Sequence, residues 1–135
     1  MQHQIVALIV SGRLENRQKL STILESLVTN IFIAETLAVA REVLQEQPIS
    51  IVFCEERMSD GPYRELMAFA ESQRKSVQFI VMFSTGEWPE FREAAGLGAE
   101  VVRCPLKPSE IELALIHAMR KDAIANGSRS HAASD

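Results

Sequence analysis

The sequence contains little cysteine and histidine, and it has no long apolar run. Only two cysteines and three histidines occur among the 135 residues, which leaves little material for a metal centre, and we predict none. Cys54 and Cys104 lie in or beside apolar segments without metal-ligand spacing, and a reducing compartment argues against a disulfide between them. No apolar run approaches the length of a membrane span, and the N-terminus lacks a secretory pattern. We therefore expect a cytoplasmic protein that does not contact membranes.

Positive charge is also sparse. The net charge is −4, and lysine and arginine are scattered singly along the chain. A nucleic-acid surface needs clustered cations that displace counterions, so we expect no nucleic-acid partner. The length fits one domain, and 47% hydrophobic with 24% charged residues is an ordinary globular composition.

The most informative segment is Ile49–Gly61, with the sequence ISIVFCEERMSDG. It begins with apolar residues broken only by Ser50 and turns abruptly charged at Glu55. A short apolar run of this kind is typical of a strand buried on both faces in a parallel sheet. Ligands of such sheets collect at the carboxyl ends of the strands, where Glu55 stands.

Apolar patterns predict the remaining elements. Four further strands are expected at Gln4–Val10, Ile31–Ala34, Phe79–Phe83 and Val101–Val102. Helices are expected from Glu15 to about Thr29, from a Thr36 cap to Pro48, from Tyr63 to about Arg74, in a short segment after Pro89, and from Ser109 to about Lys121. Residues 1–121 form the predicted domain, and residues 122–135 a polar, flexible tail.

Alternation of five strands with five helices predicts an α/β fold. Parallel strands need crossover helices, and right-handed crossovers place helices on both faces of one sheet. The expected architecture is a three-layer, flavodoxin-like (βα)5 doubly wound parallel sheet with strand order 2-1-3-4-5. Its crevice lies at the ends of the first and third strands. The first strand is not followed by a glycine-rich phosphate loop, which argues against an independent enzyme.

Three short motifs give the chain a family resemblance. They are Glu55-x-Arg57-Met58, then Ala94-Ala95-x-x-Gly98-Ala99, and finally Cys104-Pro105-Leu106. With the order of the elements, they make residues 3–120 resemble the receiver domain of two-component response regulators, the CheY-like family. Where the family has Asp-x-x-Met and Lys-Pro-Phe, this chain has Glu55 and Cys104. A second pair, Lys107–Pro108, lies nearby, but Leu106 favours Cys104–Pro105 as the match.

The resemblance implies phosphoryl transfer from a phospho-histidine partner to an aspartate after the third strand. In the family two acids after the first strand hold Mg²⁺, and a hydroxyl and a lysine contact the phosphoryl group. The matching positions here are Ser11 and Gly12 for the acids, Glu55 for the acceptor and Cys104 for the lysine. Only the hydroxyl, at Ser84, is retained. A degenerate phospho-acceptor pocket is therefore expected at Ser11, Gly12, Glu55, Ser84, Cys104 and Pro105.

Each residue of this pocket has alternative interpretations. Glu55 either mimics a phosphorylated aspartate or, as we favour, pairs with Arg13 or Arg57. Ser84 either binds an anion or, as we favour, caps its own loop. Cys104 is either redox-sensitive or, as we favour, structural.

Further alternatives concern Glu56, Asp60 and the bond before Pro105. Glu56 and Asp60 either hold a metal ion or, as we favour, are solvated. The resemblance suggests a cis peptide bond before Pro105.

The favoured hypothesis is a non-enzymatic pseudo-receiver that needs no cofactor and acts by protein–protein contact. The resemblance implies contact through the face formed by the fourth helix, the fifth strand and the fifth helix, which also makes homodimers in the family. The alternative is a divergent receiver that still accepts a phosphoryl group at Glu55 or Ser84, or Mg²⁺ at Glu56 and Asp60.

Overall fold

The structure is a computed structural model that describes residues 4–85 and 88–134, with side chains described as far as Asp122. Its strands are β1 (Val6–Val10), β2 (Asn30–Ala34), β3 (Ile51–Glu55), β4 (Arg57–Met58), β5 (Gly61–Pro62), β6 (Gln78–Phe83) and β7 (Glu100–Arg103). Its helices are α1 (Leu14–Leu24), α2 (Leu37–Glu46), α3 (Tyr63–Ser72), α4 (Trp88–Gly96) and α5 (Pro108–Ser134).

Five strands form one parallel sheet in the order β2-β1-β3-β6-β7. This is the predicted order 2-1-3-4-5, since β6 and β7 are the fourth and fifth of the expected strands. The other two strands, β4 and β5, form a small antiparallel hairpin between β3 and α3. The flavodoxin-like α/β prediction is confirmed.

The sheet separates two apolar clusters, because successive side chains of a strand point to opposite faces. On one face Leu8 and Val52 pack with residues of α2, α3 and α4. On the other, Ile9 and Phe53 pack with residues of α1 and α5. All four of these strand residues are completely buried. The three layers therefore hold the central strands rigidly, and the loops at their carboxyl ends are built on that frame.

Two helix boundaries differ from the predictions. The helix α1 ends at Leu24, earlier than the predicted end near Thr29. Leu27 and Val28 continue the helical spacing but lie in the turn before β2, where they pack against the core.

At the other end of the chain, α5 continues to Ser134, past the predicted end near Lys121. The prediction ended near Lys121 because the apolar residues of the helical pattern stop near Met119. The helix continues beyond them, and no proline follows that would end it. The structure describes only the backbone of residues 123–134. The division into a domain at 1–121 and a flexible tail at 122–135 therefore stays a prediction.

Within the described residues, no helix combines the length and the apolar character needed to cross a membrane.

Candidate functional site

The carboxyl ends of β1, β3 and β6 meet at one edge of the sheet. Val10 of β1 is in register with Cys54 of β3, and Glu55 is in register with Met82 of β6. The residues that follow these strands surround an open cleft of about 700 Å³. Its lining is Gly12, Arg13, Glu35, Thr36, Glu55, Glu56, Arg57, Met58, Ser59, Met82, Ser84 and Thr85.

After β1 the chain turns sharply around Ser11. The Ser11 side chain is completely buried, and its Oγ accepts a hydrogen bond from the Arg13 N–H at 3.1 Å. Its carbonyl accepts a bond from Arg17 Nη1 at 2.9 Å, and the same guanidinium lies 3.5 Å from Glu35. Ser11, which stands where the family has the first of its two acids, is thus part of a turn whose polar groups are hydrogen-bonded within the chain.

Glu55 lies at the end of β3 and is nearly buried, with 8% exposure. Its Oε2 accepts a hydrogen bond from the Gly12 N–H at 2.9 Å, and its Oε1 lies 3.6 Å from Arg13 Nε. Of the two arginines named from the sequence, Arg13 is therefore the one beside Glu55. The second, Arg57, is exposed at the mouth of the same cleft.

Glu56 points to the opposite side of the cleft, toward the end of β6. Its Oε1 lies 3.2 Å from both the backbone nitrogen and the hydroxyl of Ser84, and 3.4 Å from the Thr85 nitrogen. The Ser84 hydroxyl thus lies beside Glu56, and the predicted cap of its own loop stays a prediction, since residues 86 and 87 lie outside the described residues. Glu56 itself is not simply a solvated surface acid.

Asp60 lies in the hairpin and contacts the start of α2. Its two carboxylate oxygens accept hydrogen bonds from the Leu37 and Ala38 N–H groups at 2.9 and 3.0 Å. The predicted cap, Thr36, accepts a third bond from the Val39 N–H at 3.2 Å. Hydrogen bonds from the backbone, that of Leu37 foremost, lower the pKa of Asp60. Asp60 is exposed, as expected of a solvated acid, and it also caps α2.

Cys104 follows β7 and is partly buried at the rim. Burial raises the pKa of its thiol, and the negative charge of Glu55 raises it further, whereas Arg13 has the opposite effect. This environment favours the protonated thiol over a reactive thiolate, in accord with a structural role. The Cys104–Pro105 peptide bond is cis, as the resemblance suggested.

The residues at the rim do not fit the Mg²⁺ ion that the receiver fold implies. Ser11 and Gly12 provide no carboxylate, and the carboxylates of Glu56 and Asp60 are bound to different backbone segments. In the part of the chain that the structure describes, no three histidine, cysteine or acidic side chains form a group able to hold a metal ion. Mg²⁺ is usually held by one or two carboxylates together with waters and phosphate oxygens, and of the matched positions only Glu55 supplies a carboxylate, which is engaged by Arg13 and the Gly12 N–H.

A second surface lies on α4, β7 and α5. Arg103 of β7 places its guanidinium 5.2 Å from the centre of the Phe91 ring, so its side chain points away from the cleft. Leu113 and Ile116 are exposed on α5, with 54% and 43% exposure. Glu100 of β7 forms an ion pair with Lys121 of α5, and its carboxylate lies 3.5 Å from His117 Nδ1. We refer to the exposed side of α4, β7 and α5 as the α4–β7–α5 face.

No protein-family model matches the chain, and no curated protein resembles it in sequence. Solved structures do resemble it. The signal receiver domain of an HD domain-containing protein from Pseudomonas fluorescens Pf-5 superposes with a TM-score of 0.79 at 19% identity, covering 90% of this chain and 98% of that chain. A CheY-like response regulator receiver domain protein from Methanospirillum hungatei JF-1 superposes with a TM-score of 0.80 at 15% sequence identity. The match covers 91% of this chain and 99% of that chain.

A third similar structure is the beryllofluoride-activated NtrC4 receiver domain dimer in solution, with a TM-score of 0.80 at 23% identity, covering 87% of this chain and 98% of that chain. These similarities establish that the chain has the fold of a receiver domain. The sequence identities are too low to carry the chemistry of those domains over to this one.

Proposed function

We propose that this chain is a degenerate receiver domain of two-component signalling, a pseudo-receiver that acts in the cytoplasm by binding another protein. It does so without phosphorylation, bound Mg²⁺ or catalysis of its own. The receiver fold and the matching order of its rim segments support the family assignment.

One observation supports the proposed loss of phosphorylation. The polar groups at the matched rim positions are bound by other groups of the same chain. Glu55 is held by Arg13 and the Gly12 N–H, and the Ser84 hydroxyl by Glu56. A carboxylate attacks a phosphoryl group only when a cation neutralises the charge between the two anions. Here the nearest cation, on Arg13, is paired with the acceptor carboxylate itself.

Geometry adds a second obstacle. Glutamate is one methylene longer than the aspartate of the family, which displaces the attacking oxygen on the scale of 1 Å. A misplacement of that size costs on the order of 10²-fold in rate. The lysine position is occupied by Cys104, whose raised thiol pKa keeps it uncharged at neutral pH.

Intact-mass measurement after incubation with acetyl phosphate and Mg²⁺ tests the proposal. We expect the wild-type mass to stay unchanged, while a receiver domain that keeps its acids gains a phosphoryl group and validates the reagent. Phosphorylation of the wild type at Glu55 or Ser84 would overturn the proposal and support the divergent-receiver alternative.

A restored variant extends this experiment. It combines Gly12→Asp, Glu55→Asp and Cys104→Lys, and we expect it to gain the phosphoryl mass. A Cβ at Gly12 would meet only the Glu35 carbonyl oxygen, at 3.9 Å, so the chain has room for the acid.

The α4–β7–α5 face is the proposed contact surface. Its exposed Leu113 and Ile116 offer apolar area, and the contacts of Glu100 with Lys121 and His117 join β7 to α5 beneath it. Self-association through this face is a secondary proposal, since the beryllofluoride-activated NtrC4 receiver domain is a dimer in solution.

A further inference from the structure

The hairpin turn that carries Asp60 is followed by a glycine that the backbone requires. Ser59 and Asp60 form the turn between β4 and β5, and Gly61 begins β5. Gly61 has a φ of +145°, a conformation that residues with a side chain rarely adopt. A Cβ there would also collide with the Glu65 carboxylate and lie 3.1 Å from Leu37 Cδ1. Even if the Glu65 side chain moved, the strained φ would remain, so the fold keeps a glycine directly after Asp60.

An aspartate followed by glycine can rearrange its own backbone. The Gly61 nitrogen bonds to Asp60 Cγ and gives up its proton, and the carboxyl OH leaves with that proton as water. The product is a cyclic succinimide. Water then reopens the ring at either carbonyl, and opening at the backbone carbonyl leaves isoaspartate, in which the chain runs through Cγ. The reaction needs no reagent other than water, and glycine favours it because no side chain crowds the attacking nitrogen.

The contacts of Asp60 oppose this reaction in the folded chain. Its carboxylate oxygens accept hydrogen bonds from the Leu37 and Ala38 N–H groups at 2.9 and 3.0 Å, and one of these oxygens must leave as the ring forms. The leaving group is the OH of a neutral carboxyl group. Hydrogen bonds from the backbone, that of Leu37 foremost, lower the pKa of Asp60 and so keep the neutral form scarce at neutral pH.

We propose that Asp60–Gly61 is a site of spontaneous isoaspartate formation, and that the contact of Asp60 with the start of α2 suppresses it. The reaction proceeds when this contact opens. Isoaspartate lengthens the backbone of the turn by one methylene and moves the free carboxylate away from Leu37 and Ala38, so the cap of α2 is then lost. The inference goes beyond the pseudo-receiver function and does not depend on it.

Isoaspartate at position 60, followed over time by peptide mapping with electron-transfer fragmentation, tests the proposal. The wild-type chain is incubated folded at neutral pH and, as the uncapped reference, unfolded in guanidinium chloride at the same pH. We expect the folded chain to form isoaspartate at least about tenfold more slowly, because hydrogen bonds to a charged group must first break. The succinimide should appear as a transient product lighter by one water.

Two proline substitutions separate the Asp60 contact from the general stability of α2. Ala38→Pro removes one of the N–H groups that bind Asp60, whereas Val39→Pro removes the N–H that binds Thr36. Both positions are exposed and lie in the first turn of α2, where proline is tolerated. We expect Ala38→Pro to form isoaspartate about fivefold faster than the wild type or more, and Val39→Pro, the matched control, to keep the wild-type rate.

The proposal is overturned if the folded wild type reacts as fast as the unfolded chain, or if the unfolded chain forms no isoaspartate at position 60. It is also overturned if a folded Ala38→Pro variant reacts no faster than the wild type, or if Val39→Pro is accelerated equally. Should Ala38→Pro fail to fold, the comparison of folded and unfolded wild type still decides. None of these outcomes affects the acetyl phosphate experiment, which tests the pseudo-receiver function separately.

Discussion

Glu55, Glu56 and Asp60 lie close together in sequence, yet each carboxylate is bound by a different part of the chain. Glu55 contacts the turn after β1, Glu56 the end of β6, and Asp60 the start of α2. The three carboxylates are thus held by separate sets of hydrogen bonds. Substitution of each acid should therefore have its own effect, on the part of the chain that its carboxylate contacts.

The first prediction concerns the reactivity of Cys104. Burial and the charge of Glu55 raise its thiol pKa, and Arg13 lowers it. Glu55→Gln removes the negative charge and frees Arg13 from its ion pair, so both effects lower the thiol pKa. Because the thiolate is the reactive form, we expect Glu55→Gln to react faster with iodoacetamide at pH 8.

Alkylation rates measured by mass spectrometry across pH give the apparent pKa directly. Glu35→Gln is the control, since Glu35 lines the cleft but is not among the charges that act on Cys104. Cys54 is completely buried and should stay unmodified in every variant. An unchanged pH profile in Glu55→Gln would contradict this account of the rim charges.

At the scale of elements, the start of α2 depends on a residue of the hairpin. Asp60 binds two N–H groups that the helix cannot satisfy itself, and Thr36 binds a third. Loss of a helix cap costs about 1 kcal/mol of unfolding free energy. We expect Asp60→Asn and Thr36→Val each to lower the urea midpoint at pH 7.

The two caps should differ in their pH dependence. The folded pKa of Asp60 lies below its ordinary value of 3.8, so its contribution is complete above that value and is lost as the pH falls through the folded pKa. The effect of Asp60→Asn on stability should therefore shrink below about pH 4. Thr36 does not titrate, and its effect should persist there. Parallel pH profiles for the two variants would show that the Asp60 charge does not cap α2.

The elements themselves were largely predictable from the sequence. Apolar runs located all the strands of the main sheet: β1, β3 and β6 because strands buried on both faces have few polar residues, and the partly exposed edge strands β2 and β7 because they are still mainly apolar. The end of α1 was predicted wrongly since Leu27 and Val28 keep the helical spacing, although tertiary packing places them in a turn. The hairpin of β4 and β5 was not predicted, because strands of two residues have no periodicity.

The contacts of the rim were less predictable. Glu56 binds Ser84 and Asp60 binds Leu37, pairs that are 28 and 23 residues apart in sequence. Sequence patterns report which face a residue occupies, but they do not report which distant backbone group a flexible acid reaches. Strand order could have suggested the first pair, since β3 and β6 are neighbours and Glu56 directly follows β3.

At the scale of the whole molecule, the cleft and the α4–β7–α5 face lie on different surfaces of one rigid sheet. If the domain works by contact, its function should depend on the face and not on the cleft. We expect wild-type chains to self-associate weakly, and Leu113→Glu to raise the dissociation constant by about tenfold or more, because burial of a charge without a partner is unfavourable. Sedimentation equilibrium over a range of concentrations measures this change.

The control for this prediction is Leu14→Glu. Leu14 lies on α1 and has a similar exposure, 59% against 54% for Leu113. The Leu14→Glu substitution should leave the dissociation constant unchanged. A strict monomer at high concentration, or equal effects of the two substitutions, would refute self-association through this face.

The central claim is that a receiver fold is retained while its phosphoryl chemistry is lost. The most direct test is an amide-resolved NMR titration of the wild type with Mg²⁺ and then beryllofluoride, a mimic of the bound phosphoryl group. We predict that millimolar Mg²⁺ and subsequent beryllofluoride leave the amides of residues 11–13, 55–57 and 84–85 unshifted. Saturable shifts concentrated at those amides would mean that the pocket still binds its ligands, and they would contradict the account.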